Sequence, residues 1–295
     1  MHCVIVGAGG VGSVYAAKLS AHHDVTIVGR PAHVEAVQKN GLRIEGTLAG
    51  TYAVTATTRL ESVAPDSIIL VTTKVIDSAA AMAPVVPLLH PSVTILCVQN
   101  GLYSERIVRD LAGDRATTLR AITQCGGTLR APGLVDNVVI GDTLVEEHER
   151  SERVSALFNQ CGLEARITTD LKSDMWRKAI YNCVINPVTA IIGAPVGGIC
   201  APGLVPLTQL VIDECLAVAR ADGVEFDLDF MSSIETIYGG LTNIASMGQD
   251  LMKGRKTEID YLNAAVVEIG ARHGIDCPVN LALTSMIKSL ERQRR

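Results

Sequence analysis

The first hundred residues alternate short apolar runs with breaks of glycine or polar side chains. Residues 3–6, 25–28, 66–71 and 93–98 are rich in Val, Ile and Leu. Such runs read as buried strands of a parallel sheet. Each is followed by a residue that could hold a ligand: Gly7, Arg30, Lys74 and Asn100. The carboxyl ends of the strands are where open parallel α/β sheets bind ligands. Residues 13–19, after the first run, read as a helix. Two weaker runs, 42–44 and 52–55, flank Gly46 and Gly50 and predict a local hairpin-like insertion.

From 117 to 167 the pattern becomes β-rich, with strands expected at 118–124, 133–140 and 164–167 as antiparallel additions to the sheet. One amphipathic helix is expected at 152–160. Residues 168–170 read as a junction, with Asp170 or Ser173 able to cap the next helix. Beyond it every strong period is helical. Helices are predicted over 204–222, 229–237, 257–273 and 278–290; the third repeats apolar residues at Ile259, Leu262, Val266 and Ile269 and stops at Gly274. The cluster at 292–295 reads as a solvated end. The expected fold is therefore α/β: a Rossmann-type doubly wound domain over 1–168, then an all-helical domain over 169–295 that would carry substrate in the cleft between them.

Composition narrows the function. A chain of 295 residues suits about two domains, and 48% hydrophobic with 19% charged residues describes a globular protein with ample core. A net charge of -5 offers no basic footprint for nucleic acid. The eight cysteines are scattered, without zinc or redox spacing, and the seven histidines form no ligand pattern, so no metal is expected. The N-terminus does not read as a secretion signal, which points to the cytoplasm. Residues 179–212 carry no charge, but Pro187, Pro195, Pro202 and Pro206 interrupt them, leaving no clean membrane span. That apolar stretch makes a homodimer through the helical half an expectation.

The chemistry concentrates in two places. The first strand runs into Gly7, Ala8, Gly9, Gly10, Val11 and Gly12, then a helix, which is the context a dinucleotide-binding G-x-G-x-x-G requires. Its glycines allow a tight turn, approach of backbone to pyrophosphate, and close packing of helix on strand. At the end of the second strand an NAD site would carry Asp or Glu, whereas Arg30 suits a 2′-phosphate, so NADP(H) is expected; the alternative is a solvated loop cation. The second place is the block 176–187, Trp-Arg-Lys-Ala-Ile-Tyr-Asn-Cys-Val-Ile-Asn-Pro. On a helix, Lys178, Asn182 and Asn186 fall on one stripe among apolar neighbours. Such a stripe is either a satisfied structural network or a ligand cradle.

Together with Thr73-Lys74, Gln-Asn-Gly at 99–101, Ser246-Met247, Gln249-Asp250 and Thr-Glu-Ile-Asp-Tyr at 257–261, these blocks resemble the ketopantoate reductases (2-dehydropantoate 2-reductases) over essentially the whole chain. The resemblance implies an NADPH-dependent oxidoreductase that converts 2-dehydropantoate to (R)-pantoate on the route to pantothenate and coenzyme A, with a C-terminal domain like that of 6-phosphogluconate dehydrogenase. It implies Lys178 as proton donor and Asn182, Asn186 and Ser246 as substrate contacts. Glu258 would lie beside the nicotinamide ribose and the lysine. Gly7 to Gly12, Arg30, Lys74 and Asn100 would hold the cofactor. One position departs: Val196 stands where many members have an amide that contacts substrate, so a reductase of another small 2-oxo acid or carbonyl compound is the alternative reading. A non-catalytic NADPH-binding sensor is a further alternative, disfavoured because Lys178 and Glu258 are both present.

Overall fold

Strand β1 (His2–Val6) is buried on both faces because its side chains feed two cores. Cys3 and Ile5 join one apolar cluster; Val4 and Val6 join another. This is the physical content of a doubly wound sheet. The computed structural model describes residues 1–293, which leaves Arg294 and Arg295 of the predicted solvated end outside the described residues.

The chain continues through α1 (Gly10–Leu19), β2 (Asp24–Val28), α2 (Pro31–Asn40), β3 (Leu42–Gly46), β4 (Gly50–Tyr52), β5 (Thr55–Thr57) and β6 (Ile68–Val71). Then come α3 (Ser78–Met82), β7 (Thr94–Cys97), α4 (Arg106–Ala112), β8 (Thr117–Thr123), β9 (Gly126–Ala131), β10 (Leu134–Val139), β11 (Thr143–Glu146), α5 (Ser151–Gln160) and β12 (Ala165–Thr168). The main sheet has the order β12-β11-β8-β7-β6-β1-β2-β5. β5, β2, β1, β6, β7 and β8 pair with one another in parallel, β11 joins antiparallel to β8, and β12 pairs parallel with β11. A second sheet, β4-β3-β10-β9, includes the hairpin β3-β4 expected at 42–55.

The second sheet explains α1. Val14, Tyr15, Ala16, Ala17 and Leu19 are all buried, in one cluster with Leu42, Ile44 and Val135 of β3 and β10. A helix covered on more than one side shows little amphipathic pattern. Buried Tyr15 satisfies its hydroxyl against Thr123 and Thr143, each at 2.8 Å. Strands β9 and β11 were not predicted, because the residues of β9 are half-exposed and mostly polar or glycine and β11 is short.

By compactness the chain forms two units. One comprises Met1–Gln99 with Tyr103–Leu171; the other begins at Lys172 and also takes in Asn100–Leu102. The second unit is helical: α6 (Leu171–Ile192), α7 (Val205–Ala221), α8 (Phe230–Tyr238), α9 (Ser246–Met252), α10 (Asn263–Arg272) and α11 (Pro278–Gln293). Among the described residues, one helical stretch, Pro202–Ala221, is long and apolar enough to cross a membrane by length and composition. Its Thr208, Val211, Ile212, Cys215, Val218 and Ala219 are buried within the protein, while Val205 and Leu210 are exposed.

One predicted helix is corrected. Residues 257–273 do not form a single helix: a 3-10 turn spans Ile259–Tyr261 and α10 starts at Asn263. Leu262 breaks the run at φ -116, ψ -103. The apolar period misled because Ile259, Leu262, Val266 and Ile269 are all buried despite the break.

Candidate functional site

In the sheet unit the glycine turn is set by space. Gly7 has φ +108, and a Cβ there would lie 2.5 Å from the Thr73 nitrogen. A Cβ on Gly12 would lie 2.5 Å from both the Gly7 carbonyl oxygen and Thr72 Oγ1. Contacts below 3 Å are untenable, so both positions demand glycine. Gly9 is different: its nearest neighbour to an added Cβ is 3.9 Å away, so this glycine leaves the backbone open to approach. Gly10 answers to packing, since a Cβ there would overlap the carbonyl of Gly127 on β9. The turn is pinned by Gly7 and Ala8, whose N–H groups donate to Val28 O at 3.1 Å, and by Thr72 Oγ1, which donates to Gly7 O at 2.7 Å. Gly9 caps α1 with no side-chain hydrogen bond. The first-turn N–H groups of α1 lack intrahelical acceptors, and that array suits a phosphate. An open second glycine in front of an uncapped helix start fits a dinucleotide pyrophosphate.

Arg30 and Lys74 follow the neighbouring strands β2 and β6, so the parallel register brings both to the same sheet edge as the glycine turn. Arg30 is exposed at the start of α2, where its carbonyl accepts from the N–H groups of His33 and Val34 at 3.0 Å. Nearby His33 is buried, and its Nδ1 accepts from Gly133 N at 3.0 Å. Burial holds this imidazole below its ordinary value, so the neutral ring is favoured. Lys74 sits in a turn that Gln99 braces: Gln99 Nε2 donates to Thr73 O at 2.8 Å and to Ser78 Oγ at 2.6 Å. Gln99 was legible only as part of a motif; its bracing role depends on a contact 26 residues away.

Asn100 follows strand β7. Residues Asn100–Leu102 belong to the helical unit, where Leu102 N donates to Tyr261 O at 3.0 Å. Gly101, at φ +93, packs so closely that a Cβ would lie 2.7 Å from Tyr261 O. Asn100 is thereby brought beside the 257–261 segment that carries Glu258, two positions the sequence treated separately.

The stripe lies on α6, and the helix continues through Pro187. Proline has no N–H, which orphans the carbonyl four residues back. That carbonyl is Cys183 O, and Asn263 Nδ2 donates to it at 2.9 Å. Asn263 Nδ2 also donates to Asn280 Oδ1 at 2.9 Å, and Asn280 Nδ2 donates to Glu214 Oε2 at 2.7 Å. Glu214 in turn accepts from Val279 N and Asn280 N at the start of α11. Four helices therefore cooperate to keep α6 continuous under the stripe. Sequence reading missed Asn263, Asn280 and Glu214; a proline inside a helical pattern was the available signal.

Along the stripe Lys178 and Asn182 are half-buried and Asn186 is 6% exposed. Buried Trp176, Ala179, Ile180, Cys183, Val184 and Ile185 surround them. Asn182 Nδ2 is buried and has no hydrogen-bond partner among the described residues. A buried amide donor without an acceptor is costly, so this one points to a ligand. Ala190 continues the stripe one turn on, and α9 meets it there: a Cβ on Gly248 would lie 3.9 Å from Ala190 Cα. Ser246, which is exposed, opens that same helix two residues before Gly248. Val196, 5% exposed, donates its N–H to Asn243 O at 2.9 Å, which ties it to the loop leading into Ser246. Beside the stripe on α6, Tyr181 packs against Phe230 and Tyr238 at ring distances of 5.3 and 5.4 Å. Burial, aided by Tyr181, pushes the Tyr238 phenol up to about 12, so it stays protonated near neutrality. Among the described residues no group of three or more His, Cys, Asp or Glu could hold a metal ion.

Residues 3–150 match the family described as ketopantoate reductase PanE/ApbA, and residues 170–291 match its C-terminal counterpart. A 2-dehydropantoate 2-reductase of Pyrococcus horikoshii is 33% identical over 99% of this chain and 98% of its own length. The Archaeoglobus fulgidus enzyme of that name is 32% identical over 97% of each. The crystal structure of a PanE/ApbA family ketopantoate reductase from Ralstonia eutropha JMP134 is 30% identical, with a TM-score of 0.91 over 100% of this chain and 99% of that one. A D-mandelate dehydrogenase solved with NADH and anilino(oxo)acetate shares the fold, with a TM-score of 0.93 over 100% and 99% of the two chains, at 22% identity. A glycine turn open at Gly9, a proline-bridged stripe of Lys178, Asn182 and Asn186, and matches that span both units make this chain a member of the ketopantoate reductase family.

Proposed function

We propose that this chain reduces the ketone of 2-dehydropantoate to the alcohol of pantoate with NADPH. The observation that carries the reading is the α6 stripe, in which a buried, unpartnered Asn182 amide lies one turn from an ammonium. NADPH, when bound, supplies the hydride that reaches the ketone carbon. The carbonyl oxygen then gathers negative charge, and Lys178 answers it: its ammonium polarises the C=O and gives up the proton that completes the alcohol. Asn182, Asn186 and Ser246 are uncharged donors suited to the substrate's carboxylate and hydroxyl. Glu258 helps keep Lys178 charged and reaches the cofactor ribose. Gly7, Ala8, Gly9, Gly10, Val11 and Gly12 cradle the pyrophosphate, Arg30 reads the 2′-phosphate, and Lys74 and Asn100 complete the cofactor contacts. In this reading residues 1–168 hold the cofactor, and residues 169–295 hold the substrate.

Val196 favours a second substrate within the same chemistry. A buried valine in place of an amide offers shape but no hydrogen bond, which suits another small 2-oxo acid with an apolar tail. NADPH oxidation with a panel of 2-oxo acids decides between them. Highest kcat/KM with 2-dehydropantoate supports the first reading, a better apolar analogue supports the second, and no turnover with any ketone rejects both. We further propose a cytoplasmic location, which the eight free cysteines favour, and a homodimer through the helical unit.

A further inference from the structure

Glu258 does not sit on a helix. Its backbone has φ -98, ψ 22, and the chain around it turns through Ile259–Tyr261 before α10 begins. Something other than helical hydrogen bonds must fix its direction. The last turns of α11 supply that. Glu291 Oε1 accepts from both the N–H and the hydroxyl of Thr257, each at 2.7 Å. Thr257 is buried, and its Oγ1 also accepts from Ile259 N at 3.3 Å, closing the turn over Glu258. One turn back on α11, Lys288 Nζ pairs with Asp260 Oδ1 at 2.5 Å. Lys288 and Glu291 are three apart and share a helix face, so one face of α11 grips the residue before Glu258 and the second residue after it. A carboxylate receiving two donors is a strong, directional anchor. The third tether is Tyr261 O, which accepts from Leu102 N in the Asn100 loop.

We propose that Glu291 is a positioning residue that holds Glu258, together with the Asn100 loop, in working geometry. The proposal rests on the role given to Glu258 above. A carboxylate that must act on an ammonium and a ribose loses effect when displaced by an ångström or so. Glu291 acts on it only through Thr257 and touches neither substrate nor cofactor in this role.

The test combines amide exchange with a double-mutant cycle. In the cofactor-free protein, Glu291→Ala is expected to speed hydrogen exchange at residues 257–261 and 100–102 while leaving residues 175–185 of α6 unchanged. It should weaken NADPH binding, read by cofactor fluorescence, and lower kcat about tenfold with little change in KM for the 2-oxo acid. Glu291→Gln keeps an oxygen that can accept both Thr257 donors and is expected to restore kcat to within about threefold of wild type. In a Glu258→Ala background, Glu291→Ala should add nothing; an undiminished tenfold loss there means a general structural role and overturns the proposal. Unchanged exchange at 257–261 overturns it as well. Should Glu291→Ala fail to fold, Thr257→Val removes one of the two bonds, and a wild-type kcat in that variant overturns it. A wild type that reduces ketones while Glu291→Ala behaves identically sinks the clamp alone, whereas a fully active Glu258→Ala sinks the role of Glu258 with it.

Discussion

The glycine turn and the α6 stripe reach their form by opposite routes. The turn is constrained from within a few residues of itself and from the two strands beside it: Gly7 and Gly12 are held by Thr72, Thr73 and Val28, and any Cβ at either position collides. The stripe is constrained from far along the chain. Its helix runs on through Pro187, with the carbonyl of Cys183 taken up by Asn263, 80 residues away. Local sterics make a site that a short motif can reveal. Remote hydrogen bonding makes one that a motif can only suggest.

The sharpest break between the two regions is Lys178→Ala. It is expected to cut kcat by about 100-fold or more while NADPH affinity stays unchanged, because the proton donor and the cofactor cradle belong to different units. Steady-state rates paired with cofactor fluorescence titration check it; a parallel fall in NADPH affinity would blur the division. Next in size, Asn263→Ala should destabilise the helical unit by about 2 kcal/mol, since it strands a buried carbonyl. Chemical denaturation measures this, and NADPH binding by the folded protein should be retained. The smallest effect is on the sheet side. Arg30→Ala should reduce the preference for NADPH over NADH about tenfold, the scale of one exposed charge-assisted contact. The ratio of kcat/KM for the two cofactors reads it, and an unchanged ratio assigns the 2′-phosphate to another residue.

Legibility followed the same division. Strands β1, β2, β6 and β7 were visible because each is a short apolar run closed by a turn, and a parallel register then carries Gly7, Arg30 and Lys74 to one edge. β9 was invisible because Gly126–Ala131 has no apolar alternation; its purpose is to pack against Gly10. Lys178, Asn182 and Asn186 could be set on one stripe from their spacing. That the Asn182 amide would be left without an acceptor could not be read, because this depends on what every other helix contributes. The 257–273 segment misled because buried apolar residues at helical spacing persist across a non-helical turn.

Periodicity, glycine punctuation and residue type by themselves determined a doubly wound sheet followed by helices, the dinucleotide turn and the alignment of the lysine and asparagines on one stripe, since these are written in residue spacing along a strand or a turn. Tertiary structure decided the rest. It drew Asn100 to the segment of Glu258, packed α9 against Ala190 of α6 at Gly248, and bridged Pro187 with Asn263. Buried polar groups must find partners wherever the packed chain provides them, and sequence distance carries no record of that choice.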